Sequence, residues 1–578
     1  MVEVDPHERR VALVVTTVGV LAAFVNSSIL IISLPDIFNG LGINPLEPKS
    51  ISILLWLLMG YLLATSVLVV TFGRLGDQYG RAKLFNLGFL IFTIGSVACA
   101  LVPSSGSAGA WELIILRVLQ GVGGAMIAAN STAIITDSFP PDRRGFAIGV
   151  NQVAALAGGF VGLIIGGLLA PWHWRLVFWV SVPIGIWGTY VGYRHLRDDP
   201  NRHRITTRID WWGNLTFGVG LVAILVALTY GIQPYHGHTM GWSSPWVLGG
   251  LIGGAVLLVG FVFVEGRVPD PMFNLDLFRI RAFSAGAGSG LLAAISRGGL
   301  QFMLIIWLQG IWLPLHGYSF HDTPLWAGIY MLPLTVGFLI AGPVSGALSD
   351  RKGARALATS GLALTALSFA GLMFLPADFN YLIFAGLLAL NGIGSGLFAS
   401  PNASAIMNAV PASDRGSASG VRATTQNAGM VLSIGIFFSL MAAGLASSMP
   451  SALHDGLVAN GVSPADATTA ANLPPIGTLF AAFLGTNPIK QLLEQVDPAA
   501  SVPPAVANNT FFPHIISAPF MHGITVVFSA SILMIVVAAF ASLLRGGKFV
   551  HKDQRDPSGL VAEGEELAPT LEPSHVSS

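Results

Sequence analysis

Long apolar segments alternate with short polar connections along most of this chain of 578 residues. About 20 apolar residues in a helix cross the roughly 30 Å hydrocarbon core of a bilayer. Fourteen segments are long enough, and we predict a membrane-spanning helix in each. They cover residues 11–34, 51–72, 84–102, 111–135, 146–170, 174–194, 211–231, 246–264, 283–313, 324–348, 354–375, 380–409, 416–446 and 518–545. The pattern therefore predicts an all-α integral membrane protein.

Composition agrees with this prediction and excludes several classes of function. Apolar residues make up 53% of the chain and charged residues 10%, whereas soluble proteins carry roughly 25% charged residues. The single cysteine, Cys99, rules out an intramolecular disulfide. The sequence has no phosphate-binding Gly-Lys-Ser/Thr loop, no Cys/His cluster and no nucleophile–base constellation. We therefore expect no nucleotide, no metal, no other cofactor, no nucleic-acid partner and no enzymatic activity.

The Lys and Arg residues predict how the chain is oriented in the membrane. If the N-terminus is cytoplasmic, 23 of the 29 basic residues fall in cytoplasmic segments, and the outer connections hold only Lys49 and Lys490. Cytoplasmic connections are enriched in Lys and Arg in this way. We therefore predict cytoplasmic termini and a multi-pass protein of a bacterial-type plasma (inner) membrane.

Two motifs occur twice and indicate a duplication. The charged run Gly73–Gly80 is echoed by Gly346–Gly353, with Gly, Leu, Asp and Gly in the same register. Leu119–Gly123 is echoed by Leu390–Gly394. Two six-helix repeats around an inserted helix pair account for fourteen spans, and transporters use such parallel repeats. The predicted units are residues 1–200, 201–280 and 281–545, with an outer connection at 447–517 that contains a short helical hairpin near 476–493, and a disordered cytoplasmic tail at 546–578.

Five motifs in order resemble the major facilitator superfamily, and within it the fourteen-helix drug:proton antiporters, a family of multidrug efflux transporters. They are Gly73–Lys83, Arg117–Gly124, Gly158–Gly167, Trp174–Gly185 and Asp210–Gly213. The resemblance implies alternating access and export of drugs and other amphiphilic compounds in exchange for protons. It also implies a cytoplasmic gating loop (residues 73–83, with Gly73, Asp77, Gly80 and Arg81) and an antiporter-like glycine seam (Gly158, Gly162, Gly166 and Gly167).

The chain departs from that family at two positions. Asn26 stands nine residues before Pro35, where the family usually has Asp, and Leu163 replaces a Pro in the fifth-helix motif. The first change removes a carboxylate that the family favours for proton coupling. The remaining candidates for proton binding are acids near the helix ends, namely Asp36, Glu112 and Asp137.

Charged and polar residues inside predicted spans mark a candidate substrate cavity. Arg117 and Gln120 share a face of the fourth span, and Arg297 and Gln301 share a face of the ninth. An arginine that faced lipid would cost several kcal/mol, so we expect both arginines and Asn26 to line a cavity. Two alternatives stay open: the arginines are structural anchors between helices, and Asn26 is a hydrogen-bonding contact between helices.

The charges also leave alternative functions open. A cavity with two arginines and no deep acid favours anionic or zwitterionic, lipid-like amphiphiles, with weak or absent proton coupling. A membrane sensor that transports nothing is a third hypothesis.

Overall fold

The computed structural model describes most of the chain. The described residues are 6–44, 47–139, 141–196, 198, 210–231, 233, 235, 236, 240–269, 271, 273–319, 322–411, 415–472, 477, 489, 503–508 and 510–546. The predicted hairpin near 476–493 lies almost entirely outside these residues, as does the predicted tail beyond residue 546.

The described residues contain fourteen helices long and apolar enough to cross a membrane, which confirms the predicted number and the all-α class. We number them α1 to α14 in chain order. Their bounds are Pro6–Leu41, Pro48–Tyr79, Arg81–Ala100, Gly106–Ser138, Pro141–Leu169, Leu176–His195, Trp211–Gly231, Pro245–Glu265, Arg281–Leu315, Thr323–Ser349, Ala354–Met373, Tyr381–Asn408, Arg415–Ala459 and Phe511–Leu543.

Helix α13 is longer than the sequence pattern predicts, because it continues past residue 446 to Ala459. Residues 447–459 are more polar than the part of α13 before them. Met449, Leu453 and Leu457 nevertheless recur every four residues and are all buried, so this extension is an amphipathic helix with one packed face. The predicted outer connection therefore begins as helix, and a short helix, Pro464–Ala471, follows it.

Helix α9 changes its winding near its outer end. A π-helical turn, Leu308–Trp312, interrupts the α-helix and carries the fully buried Gln309. Pro314 lies two residues beyond this turn and has no N–H to donate to the carbonyl group of Gly310, which removes one α-helical hydrogen bond. Single π-turns inside helices are frequent at functional sites.

The helix contacts repeat between the two parts of the chain. In the first part α1 contacts α5, α2 contacts α4, and α3 contacts α6; in the second part α9 contacts α13, α10 contacts α12, and α11 contacts α14. Duplication of a six-helix unit predicts this pattern. The parts meet along α2–α13 and α5–α10. The inserted helices α7 and α8 pair with each other, and α7 also contacts α2 and α13.

Candidate transport site

Three of the predicted cavity residues meet in one hydrogen-bonded network within the first half. The Arg117 guanidinium donates to Oδ1 of Asn26 and, over 2.8 Å, to Oε1 of Gln120. Gln120 in turn donates to Oγ of Ser96 at 2.7 Å. Asn26, Arg117 and Gln120 are at most 1% exposed. The network therefore joins α1, α3 and α4 through buried polar groups.

Two further contacts surround this network. The guanidinium carbon of Arg117 lies 4.7 Å from the ring centroid of Tyr61, a cation–π contact with α2. Asn26 Nδ2 donates to Oγ of Ser181 in α6 at 3.4 Å. Nε of Arg117 has no hydrogen-bond partner. Among the residues that the structure describes, Arg117 makes no ion pair, so its charge is stabilised by neutral acceptors and an aromatic face alone.

Arg297 lies in a different place from Arg117, at a cavity inside the second half. The cavity has a volume of about 80 Å³ and is enclosed by α9 and α11–α14. Arg422 also lines it, and neither arginine has a hydrogen bond or an ion pair within the described ranges. Its polar lining residues besides these are Thr365, Asn391, Ser395, Asn402, Thr425 and Gln426. Among the residues that the structure describes, no acidic side chain lines this cavity, which gives it a positive field.

Most of this cavity was not predicted from the sequence. Arg422 was not among the predicted cavity residues, because it lies near the inner end of α13, close to a helix terminus. The cavity residue Asn402 accepts a hydrogen bond from Arg545, a third arginine of this region, and burial lowers the pKa of Arg545 to about 10.

The predicted cavity residue Gln301 is half-buried and does not line the cavity. Gln309 is fully buried, and neither of its side-chain polar atoms has a hydrogen-bond partner among the described residues.

The predicted gating loop, residues 73–83, is helical except at Gly80, because α2 and α3 extend into it. Its charged groups connect α2, α3 and α4. Arg81 binds Oδ1 of Asp77 at 2.6 Å and, with another nitrogen, both carboxylate oxygens of Asp137 at 3.0 Å. Arg81 also donates to the carbonyl oxygen of Ala133 at 3.2 Å. Gly80 turns the chain with φ of 117°, a conformation that residues with a side chain rarely adopt. Arg81 therefore ties the end of α2 and the start of α3 to α4.

Asp198 completes the loop and was not predicted from the sequence. Its carboxylate accepts from the backbone N–H groups of Ala82 at 2.8 Å and Lys83 at 3.3 Å. An anion at the first turn of a helix satisfies free N–H groups and opposes the positive end of the helix dipole. Asp198 therefore ties the segment after α6 to the start of α3.

The predicted glycine seam of α5 packs against two partners. A Cβ atom would come within 2.7 Å of the Leu21 carbonyl oxygen if placed on Gly158, and within 2.5 Å of the Val25 carbonyl oxygen if placed on Gly162. A Cβ atom placed on Gly166 would likewise collide with α1. Gly167 instead faces Leu325 of α10, where a Cβ would lie 2.5 Å from Cα. Three glycines thus bring α5 against α1, and the fourth lies at the contact between the halves.

The predicted proton-binding acids lie in three separate places. Asp137 is the Arg81 partner described above. Glu112 accepts a hydrogen bond from Oγ of Ser104 at 2.7 Å, and Asp36 is partly buried in the last turns of α1. None of the three lies at the second-half cavity.

Two repeated sets of membrane-spanning helices with a charged gating loop and a polar interior define a membrane transporter. The sequence model of the Major Facilitator Superfamily matches residues 16–307 and 295–434. The chain belongs to this superfamily.

Several curated relatives match along most of their length. The tetracenomycin C resistance and export protein of Streptomyces glaucescens is 29% identical over 94% of this chain and 93% of its own. The methyl viologen resistance protein SmvA of Salmonella typhimurium is 31% identical over 80% and 89%. The riboflavin transporter RibZ of Clostridioides difficile is 28% identical over 76% and 89%.

Solved structures share the fold. A bacterial homolog of the human lysosomal transporter Spinster, in an inward-facing conformation, matches with a TM-score of 0.56 and 16% identity over 94% of this chain and 97% of its own. A D-xylose–proton symporter matches with a TM-score of 0.52 and 15% identity over 82% and 96%.

Proposed function

We propose that this protein is a secondary active exporter of drugs and other amphiphilic or hydrophobic compounds in a bacterial plasma membrane. The observation that carries the substrate class is the match over almost the whole chain to a protein named for tetracenomycin C resistance and export. The name of the methyl viologen resistance protein supports it as well. The riboflavin transporter is also similar to this chain, so the similar proteins are not all named for drug resistance.

Alternating access would rock the two halves about their contacts, α2–α13 and α5–α10. Gly167 supports this motion, because its missing side chain lets α5 and α10 approach closely. On the inner side, the Arg81 contacts with Asp77 and Asp137 would hold the ends of α2, α3 and α4 in one arrangement. Each conformational cycle would strain these contacts, so the gating loop would set the balance between the two states.

Proton exchange would energise export. Asn26 cannot bind a proton in the physiological range, so the coupling groups are carboxylates elsewhere. Asp137 is a candidate because protonation would weaken its ion pair with Arg81 and free the gating loop. Asp36 and Glu112, near the outer helix ends, remain the other two candidates.

A second substrate class has one observation in its favour. Arg297 and Arg422 line a cavity without an acid, and neither has a protein partner among the described residues. The two guanidinium groups would bind the anionic group of an anionic or zwitterionic amphiphile.

Reconstitution with two fluorescent amphiphiles of opposite charge tests the proposal. Proteoliposomes with an imposed pH gradient should move the cationic probe against its concentration gradient, and a protonophore should abolish the movement. If only the anionic probe moves, and Arg297→Gln stops it, the second class is correct. If the pH gradient has no effect on either probe, proton exchange is refuted.

A further inference from the structure

Two acidic side chains that none of the candidate sites includes lie together at the inner ends of the inserted helices. Asp210 immediately precedes α7, and Glu265 is the last residue of α8. Their exposed fractions are only 4% and 3%. Acidic residues are almost never buried this deeply unless they are paired.

Each of the two carboxyl groups has one oxygen bonded to the backbone and one oxygen without a donor. Oδ1 of Asp210 accepts from the N–H of Gly213 at 2.7 Å, and Oε2 of Glu265 accepts from the N–H of Phe273 at 3.0 Å. The other two oxygens, Oδ2 of Asp210 and Oε1 of Glu265, are buried and have no hydrogen-bond partner in the described part of the chain. Two acceptors are therefore left unsatisfied there in one region.

These two oxygens border the same small space. A Cβ atom on Gly213 would collide with Oδ2 of Asp210 and would lie 2.7 Å from Oε1 of Glu265. Both oxygens therefore lie within 2.7 Å of one position in space. Gly213, the last residue of the motif Asp210–Gly213, thus provides the room in which the two carboxyl groups meet.

The two neighbouring carboxyl groups are expected to hold one proton between them. Two ionised carboxylates side by side repel each other, and ionised carboxylates offer no donor. A single proton supplies one O–H donor, which satisfies both free oxygens and removes the repulsion. The other charged group that acts on Glu265 within the described ranges is Arg74 of α2, whose guanidinium donates to the carbonyl oxygen of Pro271.

We propose that Asp210 and Glu265 share one exchangeable proton and form a proton-binding site on the inner side of the membrane. The site lies where the inserted helices meet the gating-loop helix: Thr71 of α2 donates to Asn214 of α7, beside the Arg74–Pro271 contact. Loss of the proton leaves two negative charges next to Arg74 and changes this contact. The role in coupling rests on the proposed proton-driven transport, whereas the binding of the proton does not.

Infrared difference spectroscopy of the purified full-length protein across a pH titration tests the site directly. Wild type should show a protonated-carboxyl band that disappears as pH rises. Asp210→Asn and Glu265→Gln should each lose that band, and Asp276→Asn should keep it, because Asp276 is exposed and pairs with Arg279 at the surface. The same band in wild type and in both pair variants would overturn the proposal.

Thermal stability gives a second readout that also needs no transport. The protonated pair is the stable form, so the Tm of wild type should fall as pH rises and the proton leaves. Glu265→Gln keeps a donor and cannot ionise, so its Tm should lose this dependence, while Asp276→Asn should keep it. Equal pH dependence in wild type and Glu265→Gln would refute the shared proton.

A transport measurement then tests the coupling role separately. In proteoliposomes, Glu265→Gln should still exchange substrate for substrate but should respond less to a pH gradient than wild type. An equal response in both proteins would refute the coupling role. A wild type that moves no substrate would refute the proposed function, and the spectroscopic result would still decide whether the pair binds a proton.

Discussion

Arg117 donates a hydrogen bond to Oδ1 of Asn26, a neutral acceptor. Antiporters that resemble this chain usually have a carboxylate at the position of Asn26. In this protein the buried guanidinium therefore keeps its charge without an anionic partner among the described residues, and Tyr61 and Gln120 stabilise it instead. The first half of the transporter consequently holds a fixed positive charge in a network that no proton at position 26 can switch.

Asn26→Asp should create such a switch. The new carboxylate would lie against Arg117 and form a charge-assisted hydrogen bond, which is roughly twice as strong as a neutral one. We expect the pH-gradient dependence of efflux to increase relative to wild type, measured in proteoliposomes at several pH values. An unchanged dependence would show that position 26 takes no part in proton coupling.

Asn26→Ala should destabilise the protein. It removes the acceptor of a buried guanidinium, and leaving a buried donor unsatisfied costs about 1–3 kcal/mol. The Tm of the purified protein should fall. Asn26→Asp, which keeps an acceptor at the same place, is the matched control and should retain most of the stability.

Arg81→Gln should shift the balance between transport states. The ion pairs of Arg81 are partly exposed, with side-chain exposures of 17% for Arg81 and 41% for Asp137. Such pairs contribute about 1 kcal/mol, which is roughly a five-fold change in the equilibrium between the states. We expect the initial rate of efflux to fall by roughly the same five-fold factor at unchanged expression.

A surface variant controls for the loss of a cation. Arg279→Gln removes a pair whose members are 86% and 75% exposed, and it should leave the rate of efflux unchanged. If the two variants transport equally well, the Arg81 contacts are not a gate.

Gly162→Ala should disrupt the packing of α5 on α1. The added Cβ would lie 2.5 Å from the carbonyl oxygen of Val25, and overpacking of this kind costs about 1–3 kcal/mol. Gly159→Ala is a control on the same helix, because nothing lies within 4 Å of a Cβ placed there. Thermal melting should separate the two variants, and equal Tm values would contradict the described seam.

Arg297→Gln and Arg422→Gln should change selectivity more than stability, because neither guanidinium has a hydrogen-bond or ion-pair partner among the described residues. In each variant, an anionic amphiphile should compete less well for transport than it does in wild type. Competition by a cationic amphiphile should not change. Arg297→Lys and Arg422→Lys keep the charge and should retain most of the anion preference. If all four variants compete like wild type, the second-half cavity does not bind substrate.

Hydropathy predicted the architecture of this protein well, because each span must satisfy its own backbone hydrogen bonds in lipid and so forms a long apolar helix. Hydropathy did not predict the full length of α13, which continues past residue 446 to Ala459. The end of α13 is held by Met449, Leu453 and Leu457 on one face, a spacing that average hydropathy does not detect. The π-turn at Leu308–Trp312 likewise depends on a backbone detail near Pro314.

The candidate site was harder to predict, because it depends on which helix faces meet. The sequence placed Arg117 and Gln120 on one face, and the structure joins them. It also placed Arg297 at one cavity with Arg117; in the structure Arg297 lines a cavity among α9 and α11–α14, and Arg117 belongs to the network of α1, α3 and α4. Asp210 and Glu265 are 55 positions apart in the chain, and only the pairing of α7 with α8 brings their unpaired oxygens together.

The central claim is that this transporter exports amphiphiles at the expense of a proton gradient. The most direct test records substrate movement and internal pH together in proteoliposomes of the wild-type protein. The account predicts that a pH gradient drives the substrate uphill and that a substrate gradient moves protons in the opposite direction. Substrate movement that follows only its own concentration gradient, without any proton flux, would contradict the account.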